Sequence, residues 1–279
     1  MTAVGELPQL RRVLVALDMA SGGQAALEIT ANLAAALGAE LVGLFVEDAE
    51  LLEAAALPVS RWVSSGAASQ APFDVALMRR ALKVSAVQAS RMLAEVAVRQ
   101  RIQWTFRVKH GALTEQLLAE VGSSDILALV APAGGQGQAR GAAYRRLIAA
   151  QASCCVLLVR PDGRPSQPVV ALYTGSQRAL AVAAQLARAY RRPLIVLAAA
   201  KTAEAVAALM DAASRWLQDG AMSAPVRGIV ADTVSEIDAA IATLYPGVLV
   251  IDRPQGPAAK GYDLDALLEH PPCSIFILR

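Results

Sequence analysis

Aromatic residues are scarce in this chain: they make up 4% of its 279 residues, while hydrophobic residues as a class reach 55%. The apolar content is therefore mostly alanine, leucine and valine, which suits helices packed on buried strands and excludes intrinsic disorder. An excess of one charge is lacking too. Lys and Arg number 26 against 24 Asp and Glu, divided 15 to 13 before Pro161 and 11 to 11 after it. Neither half has the basic surplus that a phosphate backbone demands, so nucleic acid is not expected as a partner. Two histidines, His110 and His270, cannot build a His-rich metal site. Cys154 and Cys155 are adjacent and Cys273 is distant, which is neither a disulfide framework nor a metal knuckle. They read as small apolar residues at the start of buried strands, and no metal is expected. Long hydrophobic runs are also missing. The longest uncharged stretches (Ile126 to Ala139, Leu147 to Val159, Ala239 to Ile251) fall short of the roughly 18 to 20 residues of a spanning helix, so no membrane insertion is expected despite a mean hydropathy of +0.42. The first residues show no apolar core followed by a small-residue cleavage site, and a cytoplasmic location follows as an expectation.

What is present is a repeat. Val13-Leu14-Val15-Ala16-Leu17 is a buried-strand run ending at Asp18, and Ala26, Ile29, Leu33 and Leu37 recur at helical spacing before Gly38 and the strand Leu41 to Val46. After Pro168 the same order returns: Val169 to Leu172 runs into Tyr173, a helix carries Ala179, Val182, Leu186 and Tyr190, and Leu194 to Leu197 is the next strand. Shifted by 153 residues (26 to 179), Ala26 to Leu44 matches Ala179 to Leu197 at Ala26, Leu27, Ala31, Leu33, Ala34, Ala36, Leu41 and Leu44. Later strands are expected at Trp104 to Val108, Ile126 to Val130 and Val156 to Val159 in the first half, and at Val226 to Val230, Val248 to Ile251 and Ile275 to Leu278 in the second. Helices are expected near Val75 to Arg99, Thr114 to Val121, Ala143 to Ala150, Ala203 to Leu217, Ser235 to Leu244 and Leu264 to Glu269.

The expected fold is α/β, with two doubly wound five-stranded parallel sheets of Rossmann-like type in tandem. Residues 1–160 form the first domain, 161–168 (PDGRPSQP) the linker, and 169–279 the second domain. The runs Cys155 to Arg160 and Ser274 to Arg279 are apolar and would otherwise be bare edges, so the halves are expected to pair through them as a pseudo-dimer. The first half alone carries an insert at 57–74 (LPVSRWVSSGAASQAPFD), whose Trp62 is either a structural plug or a contact for a partner or ligand.

RRVLVALDMASGGQAALEITANLAAALGAELVGLFVED at the start, HGALTEQLLAEVGSSDILALV from His110 and ASCCVLLVR from Ala152 resemble the universal stress protein family over nearly all of the first half. PVVALYTGSQRAL, GVLVID and HPPCSIFILR resemble it more faintly in the second, so the chain is identified as a tandem member. The resemblance implies an acidic residue near adenine at the end of the first strand, which Asp18 matches, and a G-x2-G-x9-G-[ST] phosphate loop after the fourth strand. That loop departs from the pattern: its positions fall on Val130, Ala133, Ala143 and Tyr144. Sliding to Gly134 and Gly137 recovers the first pair but puts Leu147 and Ile148 at the end. Arg140, Arg145 and Arg146 are cations that an anion there would meet. In the second half Tyr173 replaces the acidic residue, and DRPQGPAAKGYD places prolines where amide donors are needed.

Two functional readings stand. One is a non-catalytic stress-response or regulatory protein, without cofactor, that acts on a protein partner and uses its second half as a built-in dimer partner; homo-oligomerisation is compatible with it. The other is an adenine-nucleotide sensor or weak ATPase that binds ATP or AMP in the first domain through Asp18, Gly134, Gly137 and Arg145. No catalytic residues are assigned: Ser21-Gly22-Gly23-Gln24 reads as a helix-capping turn, His110 as a turn residue, and no GxSxG, HExxH or P-loop is present.

Overall fold

A strand covered on both faces has no polar side to show, which is why short aliphatic runs mark the strands of this chain. The computed structural model describes residues 10–17, 23–48, 61–63, 70–72, 75–130, 147–148, 151–160, 167–253 and 273–279. The first half runs β1 (Arg12–Leu17), α1 (Gly23–Leu37), β2 (Glu40–Asp48), β3 (Arg61–Val63), β4 (Gln70–Pro72), α2 (Val75–Gln100), β5 (Trp104–Gly111), α3 (Leu113–Glu120), β6 (Asp125–Val130) and β7 (Cys155–Val159). The second runs β8 (Val169–Tyr173), α4 (Gln177–Tyr190), β9 (Leu194–Ala200), α5 (Ala203–Asp219), β10 (Val226–Val230), α6 (Val234–Leu244), β11 (Val248–Asp252) and β12 (Ser274–Leu278). Of the helix expected over 143–150 only residues 147–148 are described, as helical, and the one expected over 264–269 lies outside the described residues.

The strands join into one ten-stranded sheet in the order β10-β9-β8-β11-β12-β7-β6-β1-β2-β5. Counted within each half, both sets of five follow the doubly wound order 3-2-1-4-5. All neighbours are parallel except β12 and β7, which pair antiparallel through Ile275↔Leu158, Phe276↔Leu157 and Ile277↔Val156. The two expected sheets are thus continuous, because β7 and β12 are apolar on both faces and each covers the edge of the other. Residues alternate between two apolar layers. Val13, Val15, Leu93, Val196 and Phe276 lie in the layer under α1, α2, α4 and α5. Leu14, Leu117, Val156, Ile237 and Ile277 lie in the other, with α3 and α6.

Helix ends repeat between the halves. Gly38, with φ of +63°, ends α1 in a left-handed turn in which Ala39 N–H bonds Ala34 C=O at 2.9 Å. Arg191, with φ of 52°, ends α4 in the same way, with Arg192 N–H on Ala187 C=O at 2.8 Å. The halves part company after their second strands. In the first, β3 and β4 form a separate antiparallel ribbon with Trp62 opposite Ala71. In the second, β9 ends at Ala200 and α5 begins at Ala203. The side chain of Trp62 lies outside the described residues.

Candidate functional site

In an open parallel sheet of this order the loops part between strands 1 and 4, and ligands sit at the carboxyl ends of those strands. In the first half the switch point lies between β1 and β6, which run side by side from Arg12↔Asp125 to Val15↔Ala128. They lead into Asp18 and into the segment of sequence bearing Gly134, Gly137 and Arg145. All four of those residues lie outside the described residues, as does Arg140.

The second half shows its crevice directly. Tyr173 ends β8 with its side chain buried, and burial pushes its phenol pKa up. Gly175 turns the chain with φ of +112°, a conformation that side chains disfavour. Ser176 stands at the N-cap of α4 yet caps nothing: its hydroxyl donates to the carboxylate of Asp252 at the end of β11. Arg178 Nη2 donates to the backbone oxygen of Arg279 at 2.6 Å. The crevice therefore holds a buried ring, a carboxylate and an arginine already engaged by main chain, which is the reverse of an anion cradle.

No protein-family model matches the chain, and no curated protein does. Solved structures do. A universal stress protein from Archaeoglobus fulgidus aligns over 97% of this chain and 99% of its own, with a TM-score of 0.71 at 12% identity. The fold is that of the universal stress proteins. A Pseudomonas aeruginosa protein provisionally assigned as a universal stress protein aligns over 96% and 93% with a TM-score of 0.57 and 16% identity. The cytoplasmic domain of a prokaryotic cation chloride cotransporter aligns over 96% and 94% with a TM-score of 0.52 and 13% identity.

The outer strands of the universal stress protein fold carry charges that the sequence reading did not join. His110 lies within β5 rather than in a turn, because the ladder with β2 continues to Glu47↔His110 and Asp48↔Gly111. Its Nδ1 is 3.0 Å from Glu47 Oε2. Glu120 on α3 meets Arg107 and, at 3.1 Å, Lys109 Nζ. Arg107 and Lys109, both partly exposed, offset the charge of Glu120 at the sheet edge, and such pairs are worth little. Among the described residues, no group of three His, Cys, Asp or Glu side chains is placed to hold a metal. No helix among them is long and apolar enough to cross a membrane.

A larger feature lies on α2. Its inner face is buried through Leu82, Ala86, Ala89, Leu93, Val96 and Ala97. Its outer face is apolar as well: Leu77, Val84, Val87 and Val98 are 66%, 50%, 51% and 70% exposed. Trp104 and Val108 on the adjoining β5 edge are also exposed, and their ladder partners Leu41 and Phe45 lie in the same apolar layer as α2. Arg79, Arg80, Lys83 and Arg91 are exposed among these apolar positions, against the single acid Glu95. The signal was available in the sequence, since Leu77, Val84, Arg91 and Val98 recur every seven residues. A single apolar stripe accounts for packing, so a second stripe on the same helix is the informative observation.

Proposed function

We propose that this chain is a non-catalytic stress-response or regulatory module of universal stress protein type, acting through protein contacts made by the outer face of α2. The observation that carries the reading is that face: apolar side chains at heptad spacing, exposed, and ringed by basic residues. Heptad spacing is the repeat of a helix-on-helix seam, and the charge excess selects an acidic partner. The occupant we assign is an amphipathic helix of another protein that carries Glu or Asp beside its own apolar stripe. A second copy of this chain presents the same basic helix, so pairing α2 with itself would set like charges together. Burying what remains exposed of these four Leu and Val side chains yields about 4–7 kcal/mol before association costs of similar size, which is the energetics of a transient contact.

Residues 1–160 and 169–279 act on this reading as two units joined by 161–168. The second unit supplies the edge strand that would otherwise come from a dimer partner. Buried Tyr173 and the Asp252 carboxylate support an empty role for the second crevice. The departures at Val130, Ala133, Ala143 and Tyr144 support weak or no ATP binding in the first.

The test is titration of a synthetic helical peptide, with leucine at heptad a and d positions and glutamate at e and g, followed by fluorescence anisotropy. Saturable micromolar binding that weakens with salt, and is lost in the Val84→Glu/Val87→Glu variant, is expected. Equal binding of a scrambled peptide of the same composition overturns the proposed surface. Stoichiometric ATP or AMP released on denaturing the purified protein overturns the cofactor-free reading in favour of the nucleotide sensor.

A further inference from the structure

A second cavity lies at the end of the sheet where the second half's strands begin, opposite that half's own crevice, and it spans the seam between the halves. Helix α1 supplies one wall through Ile29 and Asn32, while the far wall comes from Tyr190 at the end of α4 and from Arg192 just beyond it. The first residues of β8, β11 and β12, Val169, Val248 and Ser274, close it, with Gln167 at the rim. Its volume is about 60 Å³. A water occupies roughly 10–15 Å³ on this measure, so the space accepts about four to six water-sized groups.

Each polar side chain of this lining has a donor to offer. Arg192 has its backbone pinned by the α4 turn, with N–H on Ala187 C=O at 2.8 Å, while its Nε is buried and has no hydrogen-bond partner among the described residues. A buried cationic donor left without an acceptor is costly, and native structures place something there. Asn32 Oδ1 is occupied by Gln100 Nε2 at 2.7 Å, which leaves the Asn32 amide N–H groups to donate. Ser274 Oγ accepts the Arg160 N–H at 3.1 Å, which leaves its hydroxyl proton to donate. Tyr190 keeps its phenol proton, because burial raises its pKa. No Asp or Glu is among the described residues lining the cavity. One cation, several neutral donors and walls of Ile29, Val169 and Val248 fit a small monoanion with an aliphatic part better than a dianionic phosphate, which calls for more positive charge and no apolar wall.

We propose that this inter-half cavity is a binding site for a short-chain monocarboxylate of about three or four carbons, its carboxylate on Arg192 and its alkyl chain against Ile29 and Val248. The site is independent of the α2 surface. Since its walls come from both halves, occupancy stabilises their seam by mass action.

The test is ligand-observed NMR titration of butyrate against the full chain, alongside thermal unfolding. Saturable binding, a rise in Tm with butyrate, and at least tenfold weaker binding of neutral butyramide are expected. Arg192→Gln should weaken butyrate at least tenfold, and so should Ile29→Trp, which fills the opposite wall; the two variants lie on different elements, so misfolding of one leaves the other decisive. Absence of saturation overturns the site, as does binding unchanged in whichever variant folds. Displacement of butyrate by an equal concentration of inorganic phosphate overturns the carboxylate assignment.

Discussion

Helices α2 and α5 occupy corresponding places in the two halves, each following the second strand, and they share an inner face but not an outer one. Both pack on the sheet through small and aliphatic residues: Leu82, Ala89 and Leu93 on α2, and Val206, Ala213 and Leu217 on α5. Outside, α2 shows valines and arginines, whereas α5 shows Glu204, Ala207, Ala208, Asp211 and Arg215 and exposes no large hydrophobic residue. Packing constrains the buried face of a duplicated helix equally in both copies. The solvent face is free to diverge, and only the first half has acquired an apolar, basic one. An exposed apolar surface costs solubility unless something covers it, and the proposed function rests on this asymmetry when it assigns the contact to the first half and support to the second.

The strongest way to break this pairing of halves is at the seam. Phe276 is 1% exposed and lies opposite Leu157 across the antiparallel ladder. Phe276→Ala should cost about 3–5 kcal/mol in urea unfolding, because it opens a cavity where both halves meet. Loss of under 1 kcal/mol would mean that the halves do not depend on that ladder.

The three buried thiols report on the same region. Burial pushes the Cys154 and Cys273 thiols up to about 12 and raises that of Cys155 as well. Folded-state values above the unfolded ones mean that this contribution is intact below the ordinary thiol range near 8.5 and declines as pH rises from there towards 12. Labelling of native protein with an aromatic disulfide should run at least about a thousandfold slower than after unfolding, given the usual cost of opening a core. Fast labelling of any thiol at neutral pH would show that the seam breathes.

A smaller effect separates the two switch points. The first ladder pair of β1 and β6 is Arg12↔Asp125, while that of β8 and β11 is Val169↔Val248. Arg12 reaches Asp125 through Nη2 at 2.6 Å and Nε at 3.0 Å, and Gly122 N–H adds a bond of 2.7 Å to the same carboxylate. Asp125→Val should cost about 1–3 kcal/mol by stranding a half-buried arginine. The Arg12→Val/Asp125→Val variant, which copies the second half, should return to within about 1 kcal/mol of the parent. A double variant that loses as much as Asp125→Val alone would show that the ion pair adds net stability, and strictly additive losses would show that the two residues do not interact.

The smallest expected effect lies at the helix ends. Gly38 and Arg191 hold matching left-handed positions, but only glycine does so without strain. Gly38→Ala should lower stability by about 1 kcal/mol and Arg191→Gly should raise it by about 0.5–1 kcal/mol, both read from thermal unfolding. A gain in stability from Gly38→Ala, or a loss from Arg191→Gly, would break the equivalence of the two turns.

Much of this architecture was legible because buried strands announce themselves. Val13 to Leu17 and Val169 to Leu172 read directly as aliphatic runs, and the β7–β12 ladder followed from two apolar runs that would otherwise have been bare edges. β5 was read short, at Val108, because an edge strand tolerates Arg107, Lys109 and His110, and such residues do not read as strand. The contact between Ser176 and Asp252 crosses 76 residues and depends on how β8 and β11 lie together, which no local pattern encodes. Asp18, Gly134, Gly137 and Arg145 lie outside the described residues, and their grouping rests on the strands that lead to them. The α2 surface was present in the heptad spacing, but it was masked by the inner stripe that already accounted for the helix.

Backbone amide shifts test the asymmetry of the two halves most directly. The acidic heptad peptide is titrated into isotope-labelled protein and every amide is followed. The account predicts saturable shifts over 77–98 of α2 and at Trp104 and Val108, with none over 203–219 of α5. Shifts of similar size on both helices, or shifts confined to the carboxyl ends of β1 and β6, would contradict it.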